Sequence, residues 1–167
     1  DSNSDTDVYT KLKNQILKHE ELKEYTIELS ADYGIADQFV WDSFTDVTSD
    51  EAPIKVIFFL SNVVMGPSIT CDSKTILFIP GNFTMTPPFS VEGDNGCIFV
   101  VGGTTTILSN TTLANNISAF IITNNLQTHE SNYPLTIKGG VITTTTTLAR
   151  NINRYVTLTG LINKTNP

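Results

Sequence analysis

The chain has 167 residues, 40% of them hydrophobic and only 16% charged, with a net charge of −7. The apolar fraction is sufficient for one core, which excludes an unstructured chain, and Thr, Ser and Asn replace the charge of a typical domain at about 25% charged residues. The acid excess, with only Arg150 and Arg154 close together in the later half, excludes a phosphate-reading nucleic-acid protein.

The chain opens Asp1-Ser2-Asn3-Ser4-Asp5 with no basic-then-apolar leader, as expected of a processed terminus. Helix follows. Ser4 or Thr6 can cap it, Asp5 and Asp7 suit its positive end, and Val8, Leu12, Ile16 and Leu22 form a partial apolar stripe across Thr6 to Tyr25. Asp32-Tyr33-Gly34 reads as a break. Phe39, Val40, Trp41 and Phe44 then form an aromatic knot suited to covering the end of a core. Residues 1–53 are thus an acidic helical and capping segment, and residues 54–167 a β-rich domain. No run approaches the ~20 apolar residues of a transmembrane segment.

From Ile54 the pattern changes to short β-prone runs separated by Gly, Pro, Asn and Thr: Ile54–Leu60, Thr75–Ile79, Cys97–Val101, Ile117–Thr123, Leu135–Lys138 with Val141–Thr143, and Tyr155–Leu158. They start about every twenty residues, a period that suits a solenoid. Shorter runs lie between them, at Ser68–Thr70, Phe83–Met85 and Thr105–Leu108. The expected fold is mainly β, a parallel β-solenoid with an amino-terminal helical cap. Main and shorter runs together also fit the ~8–12-residue spacing of an antiparallel β-sandwich or jelly roll, which is the alternative.

Cys71 and Cys97 are the only cysteines, an even number that pairs in an oxidising compartment. With two distant histidines, His19 and His129, they have no zinc-ligand spacing, so no metal is expected. The acceptor triplet Asn-x-Ser/Thr occurs at Asn82, Asn110, Asn116 and Asn163, without a central proline. Four triplets and a disulfide point to a secreted or cell-surface glycoprotein with N-glycans attached.

The stretch Lys74-Thr75-Ile76-Leu77-Phe78-Ile79-Pro80-Gly81-Asn82-Phe83-Thr84 resembles the opening coil of pectate-lyase-like right-handed β-helix proteins. Leu135–Ile142 and Val156–Asn163 are similar to later coils of that superfamily. The resemblance implies architecture across roughly Ile54 to Asn163. It does not choose among lyases, hydrolases, tailspikes, adhesins and coats, which share that architecture.

Catalysis is not expected. Glycoside hydrolysis uses two facing carboxylates. After Pro53 the acids are Asp72, Glu92, Asp94 and Glu130, of which only Asp72 and Glu92 lie about one coil apart. No Gly-x-Ser-x-Gly elbow and no phosphate loop or cofactor motif is present. The expected role is structural or adhesive, with self-association into a filament or coat. The alternatives are a polysaccharide-active enzyme fragment, or a glycan- or receptor-binding module using Trp41, Tyr33 or Tyr133 as stacking platforms.

Overall fold

The computed structural model describes residues 7–28, 54–65, 69–71, 74–87, 89–91, 96–109, 116–149 and 152–156. It is a parallel β-solenoid of about four turns with a small amino-terminal helix. The described elements are α1 (Val8–Leu17), a 3-10 turn (Glu20–Tyr25), and eleven strands: β1 (Thr26–Glu28), β2 (Ile54–Phe58), β3 (Val63–Met65), β4 (Ile69–Cys71), β5 (Lys74–Ile79), β6 (Phe83–Met85), β7 (Phe89–Val91), β8 (Cys97–Ile107), β9 (Asn116–Thr128), β10 (Leu135–Leu148) and β11 (Ile152–Val156). Every pairing among them is parallel. The antiparallel sandwich is therefore set aside.

The register explains the twenty-residue period. Ile57, Leu77, Phe99, Ile121 and Val141 align as one column. Val63, Phe83, Thr105, Leu126 and Thr146 form a second, and Met65, Met85, Ile107, Thr128 and Leu148 a third. Successive rungs of parallel strands lie ~4.8 Å apart, so each apolar side chain packs on its equivalents in the coils above and below. The core comprises the buried apolar members of these columns together with residues such as Phe59, Cys71, Ile79, Cys97, Val101, Ile117, Ala119, Leu135 and Ile137. Phe83 and Phe99 stack at 4.7 Å between centroids.

Irregularities fall where the period changes. Val101 pairs with Thr123, but Thr104 pairs with Asn125, so β8 carries one extra residue at Gly102-Gly103. The threonines near this bulge are satisfied internally. The Thr105 hydroxyl donates to Thr123 Oγ1 at 2.8 Å, and the Thr123 hydroxyl lies 3.1 Å from the Gly103 carbonyl oxygen. Gly139 sits in β10 at φ +134°, and a Cβ there would collide with the Ala119 carbonyl oxygen.

The helix lies on the flank of the sheet. The outward column Phe58, Phe78, Val100, Ile122 and Ile142 is apolar, and Tyr9, Leu12 and Ile16 pack against its first part. Lys13 Nζ stands 5.4 Å from the centre of the Phe58 ring. The burying stripe is therefore Tyr9-Leu12-Ile16, at spacing i, i+3, i+7. Val8, included in the expected stripe, is 51% exposed. Asp7, rather than Ser4 or Thr6, caps the helix, accepting the Thr10 N–H. The segment before residue 54 also contributes β1, which pairs with β2 at the head of the stack. Its three residues are too short for a periodic signal in the sequence. The aromatic knot Phe39–Phe44 lies outside the described residues.

Candidate functional site

Two of the four acceptor asparagines are described. Asn82 and Asn116 are exposed. Asn116 and Ser118 lie in β9, where residues i and i+2 share a side, whereas Asn82 precedes β6 at a corner of the coil. Asn110 and Asn163 lie outside the described residues.

Asn82 has a second role that the triplet did not reveal. Its backbone N–H donates to Asn62 Oδ1 at 2.8 Å, and its own Oδ1 accepts the Thr104 N–H at 2.9 Å. Further along the same corner the Thr145 hydroxyl donates to Asn125 Oδ1 at 2.8 Å. Side-chain amides thus satisfy backbone donors that a turn takes out of the ladder. The bond to Thr104 uses Oδ1, so it leaves out Nδ2, the nitrogen to which a glycan is joined. The sequence signal was the spacing of twenty between Asn62-Val63 and Asn82-Phe83, each an asparagine before a buried apolar residue.

Cys71 and Cys97 form a disulfide with Cα atoms 5.8 Å apart, inside the range that native bridges span. Cys71 pairs with Val91 in register and Cys97 with Thr75. The bond therefore ties the end of the first coil to the start of the third, across the second. Both cysteines are buried.

The two ends of the stack differ. At the head, β1 covers part of β2. At the tail, β11 covers β10 only from Leu135 to Gly139. Beyond that point Val141 to Leu148 have β9 on one side and no described strand on the other. Thr144 to Leu148 are exposed. Thr146 and Leu148 are the last described members of their columns, and Leu148 is 47% exposed.

A corner between coils forms a cleft of about 560 Å3, lined by Glu130, Ser131, Asn132, Tyr133 and Ala149. A second cavity of about 330 Å3 lies between the start of α1 and the sheet flank, over Val101, Ile122 and Ile142. Tyr9 lines it, and the Tyr9 hydroxyl is buried without a hydrogen-bond partner. Burial, with a smaller effect of Asp7, pushes the Tyr9 phenol up to about 12. The carboxyl of Glu21 is lowered by a backbone hydrogen bond and by His19, whose ring nitrogen lies 2.8 Å away.

Of the acids considered for catalysis, Glu130 is described and exposed, whereas Asp72, Glu92 and Asp94 lie outside the described residues. The same holds for Tyr33 and Trp41, while Tyr133 is on the surface. Among the described residues no three His, Cys, Asp or Glu are grouped to hold a metal ion, and no helix is long and apolar enough to cross a membrane. A disulfide and the lack of such a helix among these residues are compatible with an extracellular protein. No family model, curated protein or solved structure matches the chain.

Proposed function

We propose that the chain is a structural and adhesive module of a secreted or cell-surface glycoprotein, and that it self-associates by stacking at the tail of its solenoid. The observation that carries this reading is the exposed stretch Thr144 to Leu148, which among the described residues has a strand, β9, on one side only. A strand edge presents unpaired N–H and C=O groups, and the end of a solenoid also presents the ends of its apolar columns. Thr144 to Leu148 are exposed, and Leu148, in line with the buried Met65, Met85 and Ile107, is half exposed. Because head and tail differ, the contact is head-to-tail, and a heterologous contact of this kind extends into a filament unless the rotation closes it.

The buried disulfide and the outward Asn82 and Asn116 support an oxidising, glycan-bearing compartment. Sedimentation velocity over a concentration series tests the stacking. The wild-type chain is expected to form larger species as concentration rises. Thr147→Lys with Leu148→Lys places charge on the exposed rung and is expected to leave a monomer with nearly unchanged melting. A wild-type chain that stays monomeric at its solubility limit would overturn the stacking.

A further inference from the structure

We propose that the corner formed by Glu130–Tyr133 and Ala149 is a binding cleft for a neutral saccharide. This deepens the adhesive part of the reading above and rests on it. The corner joins two observations. Its lining combines one exposed aromatic ring with short polar side chains, and both of its walls are pinned.

Tyr133 is 58% exposed, unlike the aromatics of the core columns. An exposed phenol ring offers an apolar face with a polar tip, which suits the C–H face of a pyranose. Around it stand the Glu130 carboxylate and the Asn132 amide, both exposed and close in sequence. Together they can accept and donate the hydrogen bonds that sugar hydroxyls require. A few placed polar groups beside an apolar surface is the general composition of a small-molecule site, and a cleft of about 560 Å3 accommodates one or two sugar rings.

The walls are held before any ligand arrives. The Tyr133 N–H donates to Ser131 Oγ at 3.1 Å, which fixes the loop that carries the ring. On the other side the Ala149 N–H donates to Thr128 Oγ1 at 2.9 Å, fastening the next coil to the end of β9. A site fixed in this way loses little conformational freedom on binding.

Charge selects the class of sugar. Among the described lining residues Glu130 alone is charged, and the chain carries −7 overall. An acidic glycan would meet repulsion at both ranges. Among the described lining residues Glu130 is also the single carboxylate, where glycoside hydrolysis uses two, and the proposal is therefore one of binding.

Saturation-transfer NMR on the full chain tests this. The neutral probes are methyl glycosides of glucose, galactose, mannose and N-acetylglucosamine; the acidic probes are sialic acid and glucuronic acid. At least one neutral probe is expected to receive saturation. Tyr133→Phe retains binding, whereas Tyr133→Ala weakens it about tenfold, the loss of one stacking contact with its buried area. Asn132→Ala leaves the ring in place and is expected to weaken binding severalfold, which covers the case of a misfolded Tyr133→Ala. Silence from every neutral probe, stronger binding of the acidic probes, or full affinity in Tyr133→Ala with Asn132→Ala would each overturn the assignment. Sedimentation of the same variants is read separately, so failure of stacking and failure of sugar binding are told apart.

Discussion

Single side chains carry more than one task in this molecule. Asn82 supplies a glycan acceptor triplet and also bridges two coils through its Oδ1. Two substitutions separate these tasks. Asn82→Ala and Thr84→Ala both abolish the triplet, so both are expected to remove any glycan mass at this position. Only Asn82→Ala strips the Thr104 N–H of its partner, and it is expected to lose about 1 kcal/mol in denaturant unfolding of unglycosylated protein. Equal stability of the two variants would contradict a bridging role.

Tyr9 is the opposite case, a buried hydroxyl without a hydrogen-bond partner among the described residues. Tyr9→Phe removes a buried unsatisfied group and is expected to stabilise the fold by about 1 kcal/mol. The phenol titrates near about 12 in the folded chain and near ~10 when unfolded. The unfolded chain therefore releases this proton first, and stability falls as pH rises from about 10 toward 12. In Tyr9→Phe that part of the alkaline decline should be missing, as thermal melts across this range would reveal.

At the level of elements, one helix and one glycine show how the sheet constrains its surroundings. The outer side of the first coils is apolar at Phe58, Phe78 and Val100, and parallel strands of this kind need cover on both faces. Helix α1 provides it with Tyr9, Leu12 and Ile16. The sequence revealed the helix but not which of its faces is buried, because Val8 and Tyr9 are both compatible with a loose apolar stripe. The partner surface decides.

Gly139 illustrates the same dependence. Nothing in Lys138-Gly139-Gly140 distinguishes the two glycines. Only the coil stacked alongside shows that Gly139 holds φ +134° against the Ala119 carbonyl oxygen. Gly139→Ala is expected to cost more than about 2 kcal/mol, combining backbone strain with that collision. A loss below half that figure in urea unfolding would mean the strand shifts to accommodate the methyl group.

For the whole molecule, the disulfide is a cross-link between coils that contributes to stability. The Cys71–Cys97 bridge closes a separation of 26 residues, for which chain entropy gives about 3.5 kcal/mol. Cys71→Ala with Cys97→Ala is expected to lose between about 2 and 5 kcal/mol, a range that admits the cavity left at two buried positions. Reducing agent should bring the wild type close to the double variant, measured by chemical unfolding. The bridge spans the second coil, so its loss should loosen the first three coils more than the tail. Hydrogen exchange resolved by segment would register that difference.

The period, the strand-forming runs and the pair of cysteines are legible in the sequence, whereas the choice of a parallel solenoid over an antiparallel sandwich rests on the observed pairings. The first three are local or counting properties. A run of β-branched residues every twenty positions has few ways to bury its apolar sides other than by stacking on its own equivalents. Other features depend on neighbours distant in sequence: the flank that α1 covers, the asparagine bridges between coils, the strained Gly139, the cleft beside Tyr133 and the exposure of Leu148. A side chain's partners in a solenoid lie one coil away, and composition does not record which residues become adjacent once small changes of period are absorbed at a bulge such as Gly102-Gly103.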